Sequence, residues 1–481
     1  MLRHGVYVSE AATSVVTPVT ATAGLPVVVG TAPLHLAKSP AAANAPVLVH
    51  SYKEAVEQFG YSDDWENYTL CEFMKSHFAL FAVAPVVFIN VLDPAKHKST
   101  TSSESVPIKD GVGIITDHVM LDTLVVKMSN DGTELKVDED YVVGRNENGD
   151  VVLTILRNGK ANAAETVKAE YTHLKPEMVE KKDVIGGIDP STGKSYGMER
   201  LSDVFGKYKL VPGLLLAPKW SSDPEVAAVM SAKASNINGH FRCLAVVDIP
   251  TKTVKKYTDV VKWKNDNNYT KANMIACWPM VKMGDSKYHL STQLAGVMCK
   301  TDADNGDVPF VSPSNEQLQI VGTCLEDGTE VDTPKEGADY LGEQGIVTAI
   351  NFSGGWTAWG NHTAAYPANS DVKDCIIPVR RMFTWLANTL VMTFWQKVDA
   401  PLNLRLVKTV QDSAQQWLDS LAAREYILGG RVEFLETENS KLDLMAGKAT
   451  FHVYFTPPSP AQEINFRSEY DPEYLNKLIA E

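Results

Sequence analysis

The sequence lacks the residue patterns that mark most catalytic and metal-binding proteins. Its six cysteines are scattered, with no C-x-x-C pair and no histidine at metal-ligand spacing beside them, which indicates free thiols. The eleven histidines include no HExxH pair, and no serine stands in a G-x-S-x-G elbow. We therefore predict no catalytic residue, no cofactor site and no metal site.

The chain also lacks a long apolar run and a basic cluster. Its most apolar window, residues 77–90, is shorter than a bilayer requires and contains Pro85, and no apolar segment follows Arg3 and His4 as it would in a signal peptide. We expect no membrane insertion, no signal peptide and a cytoplasmic site of assembly. The formal net charge of −14 argues against direct binding of nucleic acid, because phosphate neutralisation needs a basic face.

Two short stretches imitate binding motifs. Residues 187–195, GIDPSTGKS, are similar to a phosphate-binding loop, but five residues separate the glycines where four are needed, and Pro190 removes an amide. Residues 302–307, DADNGD, are similar to the start of an EF-hand loop, but Pro313 stands where the bidentate glutamate is needed. Both are interpreted as turns, the second as a surface turn, with a weak cation site there left open.

The order of apolar segments predicts a multidomain α/β (α+β) fold with a layered core. Continuous apolar runs such as residues 26–30 and 85–92 are typical of buried strands in a largely parallel sheet, and helical patterns alternate with them. Strand-like alternation with turn signals predicts an inserted small all-β domain. The predicted divisions are an extended N-terminal arm (1–20), the core in two parts (21–95 and 184–345), the β-rich outer insertion (96–183), a helical and strand part of the core (346–456) and a C-terminal arm (457–481).

The C-terminal part carries two long helical patterns, over residues 379–396 and 407–426. Gly429 and Gly430 are predicted to end the second helix as C-cap residues. Near the other end, residues 11–24 are small and Thr-rich, which is typical of an extended connector rather than a packed element.

Both ends of the chain carry strand-like segments with no hairpin partner, residues 5–10 and 463–470; the second is predicted to be half-buried. Such segments can add to an open sheet edge of another molecule or dock on their own subunit, and the pattern leaves both open. One arm binds weakly, because burying a large apolar side chain contributes about 1.5–3 kcal/mol whereas ordering each residue costs about 1–2 kcal/mol. Two arms per subunit, each bound to a different neighbour, would bind more strongly through multivalency, which favours a polymer. If the arms are exchanged, the residues of the intersubunit strands are Val6, Tyr7, Val8, Ile464, Asn465, Phe466, Arg467 and Tyr470.

Several stretches together resemble the contractile tail sheath proteins of myophage-type tails and related phage-tail-like bacteriocins. Their order and spacing, over nearly the whole chain apart from the β insertion, carry the resemblance. His362 departs from it, since the family commonly has arginine before Thr363, and the turn at residues 187–189 runs on into Pro190. The stretches are HGVYV (4–8), VVVGTA (27–32), IGGID (185–189), VPGLLLAP (211–218), VVDIP (246–250), GGWTAWGNHT (354–363), VRRM (379–382) and AQEINF (461–466).

The resemblance implies a structural, non-enzymatic subunit of a virion tail or phage-tail-like particle, assembled in the host cytoplasm. Subunits would form hexameric rings stacked around an inner tail tube, with arms that complete β-sheets in neighbouring subunits. Contraction, triggered at the baseplate, would drive the tube through the target cell envelope, and a tail terminator protein would be a further partner. The C-terminal part of the core would face the tube and the β insertion would face outward.

Sequence and resemblance together place hinges within residues 11–24 and 457–460, at Pro18, Pro457, Pro458 and Pro460. Arg405 and Lys408 are predicted to face an acidic tube surface, with an ordinary solvated helix face as the alternative. Two other classes of function stay open at this stage: a cytosolic α/β enzyme with an unrecognised site, and a surface or adhesion module.

Overall fold

The computed structural model describes residues 16–129 and 132–478. The predicted N-terminal strand, with Val6, Tyr7 and Val8, therefore lies outside the described residues. Within them the strands are β1 Pro26–Gly30, β2 Pro46–Val49, β3 Val86–Asn90, β4 Lys98–Pro107, β5 Val112–Ile115, β6 Val125–Met128, β7 Tyr141–Arg145, β8 Val151–Ile155, β9 Thr166–Leu174, β10 Gly187–Ile188, β11 Ser195–Tyr196, β12 Leu214–Leu216, β13 Leu244–Asp248, β14 Met274–Cys277, β15 Met280–Met283, β16 Ser286–Tyr288, β17 Gly322–Cys324, β18 Ile346–Asn351, β19 Trp356–Trp359, β20 Gly429–Glu433 and β21 His452–Thr456.

Within the described residues, α-helices lie between nine of the twenty pairs of consecutive strands. Several begin at side-chain caps: the Ser51 hydroxyl accepts from the Glu54 amide, Asp223 accepts from Glu225, and Asn403 accepts from Leu406. The α-helices are α1 Tyr52–Phe59, α2 Thr69–Met74, α3 Lys181–Ile185, α4 Asp203–Tyr208, α5 Pro224–Ser235, α6 Tyr257–Asp266, α7 Leu290–Asp304, α8 Lys335–Gly342, α9 Val372–Cys375, α10 Ile377–Phe394, α11 Leu404–Ala423 and α12 Lys441–Met445.

An eight-stranded sheet forms the centre of the core, in the order β19-β18-β14-β13-β12-β1-β3-β2. The strands from β18 to β3 are parallel, and the two edge strands, β19 and β2, are antiparallel. β1, β3 and β13 are buried along their whole length, as continuous apolar runs require. The predicted α/β multidomain fold class is confirmed.

The β-rich segment between β3 and α3 has its own small core. Two three-stranded antiparallel sheets, β4-β9-β6 and β5-β8-β7, enclose a cluster that includes Val106, Leu153 and Val167. Asn148 and Gly149 lie in the β7–β8 turn, where the turn signal predicted a hairpin. The exact limits of this and the other predicted divisions stay predictions.

The predicted C-terminal helices are present as α10 and α11, but the predicted role of the two glycines is wrong. α11 ends at Ala423, and Gly429 and Gly430 begin β20, which pairs with β21. Glycine is permissive enough to serve either a helix end or a strand that packs closely on another element. Here a Cβ on Gly430 would lie 3.0 Å from the Leu418 side chain of α11, so close packing explains this residue.

The interpretation of residues 302–307 as a surface turn is wrong for Asp302. This residue lies in the last turn of α7, is buried, and pairs in bidentate fashion with the buried Arg381 of α10, with Arg381 Nη1 2.9 Å from Asp302 Oδ1. Because both carboxylate oxygens bond to the guanidinium, the charge of Asp302 is already compensated within the core. The ion pair therefore fixes α10 to the sheet-packing helix α7.

Replacing Arg381 with methionine should destabilise the core by about 3–5 kcal/mol, because it leaves Asp302 charged and buried without a partner. Lys300→Met, which removes the exposed Lys300–Asp304 pair on the same helix, provides the matched control and should cost below about 1 kcal/mol. Urea unfolding of the two variants measures both effects. Equal, small losses would show that the buried pair does not hold the helices together.

Candidate assembly surface

A polar cleft of about 730 Å³ lies at the carboxyl ends of β13 and β14. This is the usual ligand position in α/β sheets, so it is where an enzyme would have its site. Asp248, at the end of β13, accepts from the Ser291 amide (3.0 Å) and from the hydroxyls of Ser221 and Ser291. Glu72 accepts from the backbone amide of His289 (2.7 Å) and lies 2.8 Å from its Nδ1.

These polar groups satisfy one another, and burial and neighbouring charges together determine their ionisation. Burial opposes a charge on His289, but the Glu72 carboxylate, with Asp248 behind it, outweighs burial and raises its pKa to about 9. Burial also raises the pKa of the Cys277 thiol, so it is a poor nucleophile. In residues 16–129 and 132–478, no group of His, Cys, Asp and Glu is arranged to hold a metal ion. The Glu72–His289 contact joins α2 to the start of α7, so a structural role explains the presence of these polar groups in the core.

The His289–Glu72 pair predicts a pH dependence of stability. Because the pKa in the folded protein lies above the ordinary value of 6.5, the stabilisation is fully present below about pH 6.5 and is lost as pH rises towards 9. The loss is about 3 kcal/mol. Urea unfolding at pH 6 and pH 9 measures it. Glu72→Gln should flatten the slope, whereas a Glu72→Gln variant with an unchanged slope would contradict the assignment; His50→Gln, at an exposed histidine, is the control.

The N-terminal segment that was predicted to be an extended connector is hydrogen-bonded to α10 and α11 from Val16 and packs into the core from Ala21. The amides of Val16, Val19 and Ala21 donate to the hydroxyls of Ser413, Thr393 and Thr389, at 2.9, 3.0 and 3.1 Å. The indole N–H of Trp385 donates to the Ala21 carbonyl (2.8 Å), and Ala21 and Ala23 are buried.

The expectation of an unpacked connector over residues 11–24 is therefore wrong from Ala21 onward. The small residues fit against α10 closely enough for the helix hydroxyls to reach the backbone, which a bulky sequence could not do. Pro18 lies half-buried between the bonded residues Val16 and Val19. Its role as a hinge stays a prediction.

Removing the hydroxyl acceptors should loosen this segment. In the double variant Thr389→Val/Thr393→Val, hydrogen exchange at the Val19 and Ala21 amides should rise roughly fivefold, since a hydrogen bond contributes about 1 kcal/mol. Thr384→Val is the matched control, because its hydroxyl donates to Arg380 within α10. Equal exchange in both variants would mean that apolar packing alone holds the segment.

A two-stranded antiparallel sheet, β20 and β21, packs beside α11, and its two outer edges differ. Gln411 and Gln415 of α11 satisfy the outer edge of β20: Gln411 Nε2 donates to the Val432 carbonyl (2.9 Å), and the Gln415 amide group bonds the Val432 N–H and the Gly430 carbonyl. In β21, the register directs the backbone groups of Val453 and Phe455 away from β20. Within the described residues these groups have no backbone partner, so β21 presents the open edge.

The C-terminal arm leaves this same sheet. Pro457, directly after β21, is buried, Pro458 and Pro460 are half-buried, and residues 461–475 are exposed. Ile464, Phe466 and Tyr470 are 69%, 91% and 75% exposed, and residues 463–470, including Asn465 and Arg467, form no strand within the described chain. The predicted half-buried strand is thus absent here, because no sheet edge of the described chain pairs with it. Whether another subunit completes it stays a prediction.

Arg405 and Lys408 are exposed in the first turns of α11. Val398, Leu402 and Leu404, in and beside the turn before α11, are exposed too. Sequence reasoning identified the two basic residues but missed the apolar side chains beside them, although the run from 398 to 404 could have signalled an uncovered turn. It also missed the glutamine caps on β20, for which the sequence carries no signal.

Comparison with known proteins gives relatives of one kind. The chain is 29% identical over 406 residues to the tail sheath protein of Burkholderia phage BcepMu, which covers 82% of this chain and 83% of that protein. It is 27% identical over 307 residues to a protein assigned as a prophage major tail sheath protein in Pseudomonas aeruginosa, covering 62% and 74%. No protein-family profile matches the chain. The predicted resemblance to contractile tail sheath proteins is confirmed.

Solved structures show the same fold. The sheath of the extracellular contractile injection system PVC in its contracted state matches with a TM-score of 0.57 at 13% identity, over 98% of this chain and 99% of that one. The helical sheath of the anti-feeding prophage in its contracted state also gives 0.57, at 15% identity over 97% and 99%. Together with the tail sheath relatives, this fold confirms the predicted function at the level of a structural subunit of a contractile sheath. No described helix is both long and apolar enough to cross a membrane.

Proposed function

We propose that this chain polymerises as stacked hexameric rings around an inner tail tube in a virion tail or tail-like particle, and that strand exchange by its terminal arms holds the rings together. Contraction would then drive the tube through the target cell envelope, with baseplate and tail terminator proteins as further partners. The observation that carries the proposal is an unsatisfied strand edge beside an exposed, strand-patterned arm in one chain.

The open edge of β21 is the proposed acceptor. A two-stranded sheet is marginally stable by itself, and its second edge is already closed by Gln411 and Gln415. An incoming strand would bond the outward backbone groups of Val453 and Phe455 and lengthen the sheet. An uncovered strand edge promotes aggregation of a monomer. In a polymer, the same edge is a specific site at which a strand of the next subunit can pair.

The C-terminal arm is the proposed donor. It is held at the buried Pro457, and its exposed apolar side chains at Ile464 and Phe466 are two residues apart, as on one face of a strand. Since proline fixes φ, the Pro-rich spacer would direct the arm away from its own sheet. We therefore assign the three prolines of the spacer to the base of the arm, which would tether one subunit to the next, and not to its strand; they are Pro457, Pro458 and Pro460.

The N-terminal arm is assigned as a second tether, with a base nearer the start of the chain than predicted. The described part is bonded to α10 and α11 as far out as Val16. Its acceptor Ser413 lies two residues from both Gln411 and Gln415, so it is on a different face of α11 from β20. Two tethers with separate bases on one subunit would let rings move apart without losing their connections.

We assign contact with the inner tail tube to the turn before α11 and the first turns of that helix. Exposed Val398 and Leu404 would supply apolar contact, and Arg405 and Lys408 would meet acidic groups on the tube. Steering by exposed charges weakens with salt, so this contact would be salt-sensitive and easy to release.

Assembly should depend on the apolar face of the C-terminal arm. The double variant Ile464→Ser/Phe466→Ser should give a soluble subunit with unchanged thermal unfolding that forms no tubes in negative-stain electron microscopy, because its strand loses about 3–6 kcal/mol of burial at the joint. Leu442→Ser/Met445→Ser, at residues 77% and 84% exposed on α12, is the matched control and should still assemble.

Tubes from the arm variant would contradict strand exchange by this segment. A fall in its unfolding temperature, with the control unchanged, would instead place the arm on its own subunit.

A further inference from the structure

An apolar groove of about 580 Å³ lies between the end of α10 and the turn that precedes β13. Phe205 and Phe241 form its floor with ring centroids 4.6 Å apart, and Trp395, which is 55% exposed, stands over His240 with centroids 4.9 Å apart. Val391 and Met392 of α10 complete the wall. Exposed aromatic surface in a concave site indicates a binding function rather than a solvated face.

The charge at the rim of this groove is of one sign. Lys209 and His240 are the titratable residues among those that line it, and no carboxylate does. The Lys209 ammonium lies 5.6 Å from the centre of the Phe205 ring, at the mouth of the groove. The groove is therefore suited to an apolar segment with acidic residues beside its anchors.

The last described turn of the chain has that composition. Residues Pro472–Leu478 form a 3₁₀ turn with Tyr474, Leu475 and Leu478 exposed at 65%, 45% and 83%. Leu475 and Leu478 are three residues apart, so they lie on one side of the turn. Glu469, Asp471 and Glu473 supply negative charge before the turn and at its start, and Lys477, with its ammonium 4.7 Å from the centre of the Tyr474 ring, is the basic residue within it.

We propose that the groove binds residues 470–478 of a second copy of the chain. This rests on the proposed function, since it requires the C-terminal arm to leave its own subunit. An apolar helical turn in an apolar groove is a common mode of peptide recognition, and the acidic residues would meet Lys209 at the rim. Val19 of the bonded N-terminal segment borders the groove, so the binding site adjoins the base of the other arm. The arm would then have two attachments, a strand joint and a terminal anchor.

Disulfide trapping between two single-cysteine variants tests this directly. The six native cysteines are buried, so introduced thiols dominate the reaction. Full-length Tyr474→Cys and Gln396→Cys, mixed under mild oxidation, should give a covalent heterodimer at least about tenfold faster than Leu442→Cys mixed with Gln396→Cys, because docking raises the effective concentration. Adding Lys209→Glu to the Gln396→Cys variant should slow trapping several-fold, whereas Lys252→Glu should not.

Trapping no faster than in the Leu442→Cys control overturns the proposal. So does a cross-link that forms within one chain when Tyr474→Cys and Gln396→Cys are combined in a single molecule and diluted, since the groove would then bind its own arm. Electron microscopy of the same mixtures distinguishes a failure of groove binding from a failure of strand exchange. Tubes without trapping reject the groove alone, whereas the absence of both tubes and trapping rejects strand exchange as well.

Discussion

The structure depends on the requirement that backbone N–H and C=O groups be paired. In the main sheet, each of the six inner strands has a neighbour on both sides. Parallel strands pair with one another from β18 to β3, and antiparallel β19 and β2 pair with the outer sides of β18 and β3. In the C-terminal sheet, the side chains of Gln411 and Gln415 meet it on one edge, at β20. At β21 the described residues leave the requirement unmet, and this is where we propose that one subunit joins the next.

A joint of this kind is useful only if the body that carries it is rigid. The buried Arg381–Asp302 pair fixes α10 to α7, and the His289–Glu72 contact fixes α7 to α2. The N-terminal segment is held against α10 and α11 from Val16 to Gly24 by bonds to helix side chains and to Cys299. These contacts hold the helices of the body together, which is what the proposed function requires if subunits move as solid bodies and stay connected through their arms.

The sequence predicted what depends on local pattern. The continuous apolar runs at β1 and β3 and the Asn148–Gly149 turn were recognised because a buried strand and a tight turn each leave a short-range signature. The contribution of Asp302 was not, since its partner is 79 residues away and the local sequence imitates a turn. Gly429 and Gly430 were assigned to a helix end for the same reason: their role is set by the side chains of α11, which no local pattern reveals. The alternation at residues 463–470 predicted a half-buried strand, which the described chain does not form, and the proposed acceptor edge could be found only from the hydrogen bonds of β20.

The most direct measurement is hydrogen exchange of the C-terminal arm in free subunits and in assembled tubes. Our account predicts that the amides of residues 463–467, together with those of Val453 and Phe455, exchange rapidly in the free subunit and become strongly protected on assembly, while the core sheet is unchanged. Protection of these amides in the free subunit, or rapid exchange of the arm in intact tubes, would contradict the claim that each subunit leaves an edge for its neighbour to complete.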